Sequence, residues 1–237
     1  VPRRQGEAVP PGEEGGGAPK VDSTPLVHQL PNLLPYDGIV VYRERFLPDD
    51  LDWFHLLEAD IDWRSERARF FGREVPLPRL TAWYGPAPYA YSGVVHAPRP
   101  IPEFLRPLSV LVTAASGPVN CLLANLYRNG QDAMGWHADD EGLFGRQPLI
   151  ASLSLGATRR FALRHRRSHA RIDLELTSGS LLVMAGACQE NWLHAVPRTR
   201  RPVGPRINLT FRRLAAPAMA RSGDGSVEAH ASPGSSG

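Results

Sequence analysis

Cysteine is scarce in this chain. Among 237 residues there are two, Cys121 and Cys188. Two cysteines do not make a disulfide framework. Both stand in apolar, strand-like surroundings, where a buried free thiol is the expected state, and that suits a reducing compartment. Lysine is scarcer still, with Lys20 alone; we assign this to base composition and read no function into it. No apolar run approaches the ~20 residues that a membrane span requires, and no basic-then-apolar leader is visible. The expectation is a soluble, intracellular (cytoplasmic) monomer with no membrane partner. No internal repeat is visible, so a repeat architecture is not expected.

What is present suits one all-β domain or a little more. Hydrophobic residues make up 42% of the chain, enough for a sizeable core. Residues 1–33 and 216–237 differ from the middle, with runs such as PPGEEGGGAP and ASPGSSG. Such compositions bury too little apolar surface to offset their ordering entropy, so both ends are expected to be flexible tails. The net charge of +3 permits a nucleic-acid partner without requiring one. The distribution says more: residues 159–171 (RRFALRHRRSHAR) hold six arginines, two histidines and no acid.

The segment GIVVYRERF at 38–46 reads as a strand. Pro48-Asp49-Asp50 then opens a helix to about Ala59, because Pro and Asp suit a helix start. Short strands are expected at 68–73 and 79–84, around Glu74–Pro78, and again at 89–95. Pro102 begins a second helix that Gly117-Pro118 closes. Beyond it the pattern is nearly all strand: 120–127, 148–155, 160–166, 171–176, 180–185, 191–196 and 206–213. Strands this short and numerous predict a sandwich or barrel, and a jelly roll fits best.

Asn125 to Asp140 reads NLYRNGQDAMGWHADD and contains His137-Ala138-Asp139. In an extended strand, positions i and i+2 share a face, so both side chains can meet one metal ion. His194, in NWLHAVP, follows 57 positions later. Two histidines and one carboxylate form the facial triad of non-heme Fe(II) oxygenases. On these three residues alone, an ordinary surface His–Asp pair or a Zn hydrolase site would also serve. A second feature separates the readings. Arg206, Asn208, Thr210 and Arg212 alternate along RINLTFR and share one face, which must meet either solvent or a buried anion. Asn125 and Tyr127 alternate likewise. Two arginines suit a dicarboxylate such as 2-oxoglutarate, since the guanidinium fork pairs with a carboxylate bidentately.

Taken in order, NLYR, WHADDE, PLIASLSLGATRRF, NWLHAVP and PRINLTFR resemble the AlkB-type Fe(II)/2-oxoglutarate dioxygenases, over roughly residues 70–213. The resemblance implies a mainly β (α+β) domain, a double-stranded β-helix or jelly roll, at 34–215. Residues 34–119 would supply a substrate-binding lid and supporting helices, and 120–215 the core. His137, Asp139 and His194 would bind Fe(II). Asn125, Tyr127, Arg206 and Arg212 would hold 2-oxoglutarate, with Asn208 and Thr210 on the same face; Arg206 would take the far carboxylate and Arg212 the iron end. Asp140 would lie beside the substrate base. Tyr89 and Tyr91, in YAYSG, would form the base-binding wall, with Tyr91 stacked on a flipped base. Phe71-Gly72-Arg73 would form a hairpin tip that probes a duplex, and the arginine-rich stretch, through Arg164, would hold phosphates.

The implied activity is oxidative dealkylation of bases such as N1-methyladenine or N3-methylcytosine, in DNA or RNA. It uses Fe(II), 2-oxoglutarate and O2 and releases formaldehyde, succinate and CO2. Two rivals remain at this point: an oxygenase of protein or small molecules with the same core, and a non-enzymatic nucleic-acid binder on a jelly-roll scaffold.

Overall fold

Alternating strands dominate the second half of the chain, and each must bury an apolar face. The computed structural model describes residues 24–48, 52–70, 73–91 and 94–214. In it the strands form two antiparallel sheets, the jelly roll that the strand pattern predicts. The larger sheet has seven strands. They are β1 (Ile39–Arg43), β2 (Arg64–Phe70), β3 (Arg73–Tyr84), β6 (Cys121–Tyr127), β8 (Ile150–Gly156), β11 (Ser180–Ala185) and β13 (Arg206–Arg212), in the order β1-β11-β8-β13-β6-β3-β2. The smaller sheet has β7 (Met134–His137), β9 (Arg159–His165), β10 (Arg171–Leu176) and β12 (Trp192–Val196), in the order β10-β9-β12-β7. A hairpin of β4 (Tyr89–Tyr91) and β5 (Val94–His96) stands apart from both.

Helices cover the outer face of the larger sheet: α1 (Leu26–Gln29), α2 (Trp53–Asp60) and α3 (Arg106–Ser116). Leu57, Leu108 and Val112 pack there against Ile207, Leu209 and Phe211 of β13. The Asp52 carboxylate caps α2, accepting from the His55 amide at 3.2 Å. Asp49 and Asp50, expected to open this helix, lie outside the described residues. A second core fills the space between the sheets, with Ile150 and Met184 facing Phe161, Leu163 and Trp192. Both cysteines are buried and free. Burial pushes the Cys121 thiol up to about 11 and the Cys188 thiol to about 12.

Three differences from the sequence reading have physical causes. Order begins before residue 34: α1 buries Leu26, and the Asn32 side chain accepts from the amides of Leu34 and Val40. The leucines of 26–34 were diluted by the composition of the Gly/Pro-rich segment before them. Next, β3 runs unbroken through Glu74–Pro78. Pro76 is tolerated because this half of the strand pairs on one edge only, with β2, beside a register shift between Ser65 and Arg67. Finally, the N-terminal half is built into the large sheet, with β1 on β11 and β3 on β6. Alternation marks a strand but does not name its partner.

Candidate metal centre and cosubstrate pocket

His137 ends β7, a four-residue strand at the edge of the smaller sheet. Its partner β12 pairs His194 with His137 and Val196 with Met134, so two residues of β7, Gly135 and Trp136, stand against Ala195 alone. This bulge re-aims the strand, and both Met134 and His137 line the cavity between the sheets. The His137 Nδ1–H donates to the Gly135 carbonyl at 2.8 Å. That bond fixes the tautomer and turns Nε2 toward the Asp139 carboxylate, 3.9 Å away. His194 faces His137 across the ladder, with ring centroids 4.1 Å apart, and stacks on Phe161. One ligand atom each from His137, Asp139 and His194 lie within 4.8 Å of one another. Asp139 falls just past the end of β7, in a stretch outside any strand or turn, so the strand supplies only the first member of the pair.

Burial sets the charge states. It lowers His137 below the usual imidazole value and takes His194 down to about 3, so both rings are neutral ligands at neutral pH. Burial alone would raise Asp139, but Arg212 and the two histidines outweigh it and hold the carboxyl at about 2. Arg212 donates to Asp139 Oδ2 through Nε at 3.0 Å and Nη2 at 2.6 Å. The Asp139 amide donates to Gln189 Oε1 at 2.9 Å. Nothing in the sequence pointed to Gln189, a buried amide whose partner lies 50 residues away.

The polar face of β13 is buried, and Asn208, Thr210 and Arg212 on it line the cavity. Asn208 donates to Ser152 Oγ at 2.8 Å and to the Leu153 carbonyl at 3.1 Å, and Thr210 donates to Asn208 Oδ1 at 2.9 Å. Arg206 is 1% exposed. Its Nη2 donates to Ser154 Oγ at 2.9 Å and its guanidinium lies 5.2 Å from the centre of the Tyr127 ring. Its Nε and Nη1 make no hydrogen bond. Burial pushes Arg206 down to about 10; the nearby Tyr127 hydroxyl favours the charge without completing a bond of ordinary geometry. Asn125 accepts from Arg79 Nε at 2.8 Å, and Asn125, Tyr127, Asn208, Thr210 and Arg212 line the cavity with the three metal-site residues. The sequence reading missed Ser152 and Ser154. Their alternation in IASLSL was the available signal, since they pair with Thr210 and Asn208 in register.

At the mouth, Asp140 is exposed and accepts from Arg166 Nη2 at 3.0 Å. Tyr89 is 0% exposed, stacked between Trp83 and His96, and its hydroxyl donates to Glu141 Oε1 at 3.0 Å. It therefore stands behind Glu141. Tyr91 is placed by its backbone, paired with Val94 in the β4–β5 hairpin, and Arg73 by its pairing with Phe70. The side chains of Tyr91 and Arg73, and the whole of Phe71 and Gly72, lie outside the described residues. The arginine-rich stretch divides in the fold. Arg159 is buried and donates to the carbonyls of Asn129, Asp132 and Pro197. Arg164 lies over Trp136.

A jelly roll with a buried His-Asp-His cluster at one end of a polar strand, and an unsatisfied arginine at the other, defines a class. The chain belongs to the 2OG-Fe(II) oxygenase superfamily, which it matches over residues 40–212. Within it the similarity is to proteins of the AlkB type. The chain is 40% identical over 189 residues to human alpha-ketoglutarate-dependent dioxygenase alkB homolog 3, covering 75% of this chain and 64% of that one. It is 34% identical over 217 residues to DNA oxidative demethylase ALKBH2 of Arabidopsis thaliana, covering 76% and 67%. Against the mouse protein of that name it is 31% identical over 224 residues, covering 89% and 92%. The chain spans just under two thirds of the length of the human alkB homolog 3 protein. The superfamily works with Fe(II), 2-oxoglutarate and O2, and the residues fit these groups. Two neutral imidazoles and a carboxylate suit Fe(II). The unbonded Nε and Nη1 of buried Arg206 suit an anion.

Proposed function

We propose that this protein repairs alkylated nucleic-acid bases by oxidative dealkylation, with DNA as the first substrate to test and RNA as the second. One observation supports the cosubstrate assignment above all: Arg206, fully buried on the polar face that ends at the metal cluster, with two donors unsatisfied. A buried guanidinium without a counter-charge is costly, and a carboxylate delivered to it offsets that cost. The base assignment draws on the relatives described as DNA oxidative demethylases.

In this reading His137, Asp139 and His194 hold Fe(II). Arg206, beside Tyr127 and Ser154, takes the far carboxylate of 2-oxoglutarate, while Asn125, Asn208 and Thr210 orient its middle. Arg212 keeps the Asp139 carboxylate ionised and aimed, and its unbonded Nη1 serves the iron end of 2-oxoglutarate. Bound Fe(II), 2-oxoglutarate and O2 supply the oxidation that hydroxylates the alkyl group, with succinate and CO2 as coproducts. No side chain serves as nucleophile, and formaldehyde leaves as the hydroxylated product collapses to the repaired base. Asp140 and Tyr91 contact the base, Tyr89 braces the mouth through Glu141, and Phe71-Gly72-Arg73 probe a duplex. Residues 34–119 supply the lid and support as well as three strands of the larger sheet, and 120–215 the rest of the core. The site of action is inside the cell, with the nucleic acid.

The test follows succinate and formaldehyde with methylated and unmethylated oligonucleotides of DNA and RNA. Tyr91→Ala removes a stacking platform of about 1–3 kcal/mol, so base-dependent turnover should fall by roughly ten- to a hundredfold. Tyr91→Phe should be nearly silent, and the base-independent decarboxylation should survive both. Equal loss of both reactions would make Tyr91 a packing residue. A wild-type enzyme never stimulated by any methylated oligonucleotide would pass the function to protein or small-molecule substrates.

A further inference from the structure

Trp136 precedes a metal ligand yet points the other way. The bulge sends His137 into the cavity and leaves the indole on the outer face of the smaller sheet, 37% exposed. The neighbouring outward positions are alanines. Ala195 stands across from the bulge and pairs with Ala162 on the next strand. Both alternate with inward residues: His194 and Val196 flank Ala195, and Phe161 and Leu163 flank Ala162. Outward residues should be open to water, but Ala162 is 0% and Ala195 4% exposed. Two small side chains in a row make a trough, and the indole is the large apolar group beside it.

The far side of the trough is closed by charge. Arg164 of β9 lies 4.6 Å from the centre of the indole, and Arg171 of β10 lies 5.8 Å away. The two arginines are cross-strand partners of each other. Trp136 on the edge strand is thus joined to Arg164 of β9 and Arg171 of β10 by cation–π contacts that reach across β12. The strand it fastens needs such help, because β7 has four residues, one neighbour, a bulge and two register pairs.

We infer that Trp136, clasped by Arg164 and Arg171, is a positioning residue that holds the bulged edge strand so that His137 Nε2 stays aimed at the metal. Groups that orient a metal ligand from outside the coordination sphere set affinity as well as geometry. The inference rests on the metal assignment of His137, Asp139 and His194, and not on which substrate is oxidised.

The test is Mn(II) binding to chelator-treated protein, read from the electron paramagnetic resonance of free Mn(II), with 2-oxoglutarate affinity measured at saturating Mn(II). Trp136→Ala should weaken Mn(II) by roughly tenfold and leave 2-oxoglutarate affinity unchanged, since Arg206 is untouched. Trp136→Phe should recover most of the loss. Arg164→Ala should weaken Mn(II) in the same direction, and the Trp136→Ala, Arg164→Ala double variant should be no worse than Trp136→Ala alone. If Trp136→Ala does not fold, the Arg164→Ala, Arg171→Ala pair carries the test. Wild-type Mn(II) affinity in folded Trp136→Ala or in that pair overturns the inference, as does a double variant whose losses simply add. So does a Trp136→Ala protein that keeps its metal but binds oligonucleotide more weakly, which would make the indole a nucleic-acid contact. Failure of the wild-type protein to bind Mn(II) would instead strike at the metal assignment itself.

Discussion

The two arginines of β13 sit on one face of one strand, both buried, and live in opposite electrostatic worlds. Arg212 is neutralised inside the protein: two of its nitrogens bond to Asp139, and that carboxylate raises its affinity for the proton against the pull of burial. Arg206 has Ser154 and the face of Tyr127, no carboxylate among the described residues, and two nitrogens without partners. One end of the strand has its counter-charge inside the fold, with only Arg212 Nη1 unbonded, and the other has no counter-charge among the described residues. A buried ion pair is therefore weak evidence of a binding site, and an incomplete one is strong evidence.

The sharpest way to break this comparison is through Asp139. Asp139→Ala and His137→Ala should both abolish turnover and metal binding. Only Asp139→Ala strands Arg212, so it alone should cost about 3–5 kcal/mol in urea unfolding of the metal-free protein. Equal stability of the two variants would show that Arg212 finds another partner.

The second test sets the arginines directly against each other. Arg212→Met should destabilise by a similar 3–5 kcal/mol, roughly the cost of breaking a buried pair. Arg206→Met should leave the ligand-free protein as stable as before or more so, because it removes a buried charge that nothing neutralises. The same variant should lose the stabilisation by 2-oxoglutarate, about 2.7 kcal/mol for wild type at a hundred times Kd. A destabilised Arg206→Met would mean that its unbonded nitrogens are satisfied within the fold.

The smallest effect is in acid. The Asp139 carboxyl titrates at about 2 in the fold and near 3.8 when unfolded. Between those values the unfolded chain binds more protons, so this contribution to stability is complete above 3.8 and is lost as pH falls through 2. Metal-free Arg212→Met should show a flatter loss of stability across that window, whereas Arg206→Met should follow wild type. Matching slopes for all three would remove Arg212 as the cause of the depressed carboxyl.

What the sequence showed follows from what is periodic or charged. The strands from 120 onward were visible because apolar residues alternate, and the site was visible because polar residues do so on β13, where no solvent explains them. The bounds of β7 were not visible, because four residues with a bulge have no period, although the H-x-D pattern already implied an extended stretch at His137. Gln189 was hidden because its meaning depends on Asp139, reached only by folding. Tyr89 was read as a wall residue from its motif, and its place between Trp83 and His96 depends on strand pairing that alternation does not specify.

The unbroken course of β3 has a mechanical consequence. Twelve residues at ~3.3 Å each make a beam about 40 Å long. Its outer half is paired with β2, and its inner half is clamped to β6 through the register of Leu80 to Tyr84. Arg79 stands where the two halves meet and reaches Asn125 in the cavity. The beam has one irregularity, where Leu77, Pro78 and Arg79 stand against Glu66 alone. The strand thus ties its outer half to Asn125, inside the cavity, through one buried hydrogen bond.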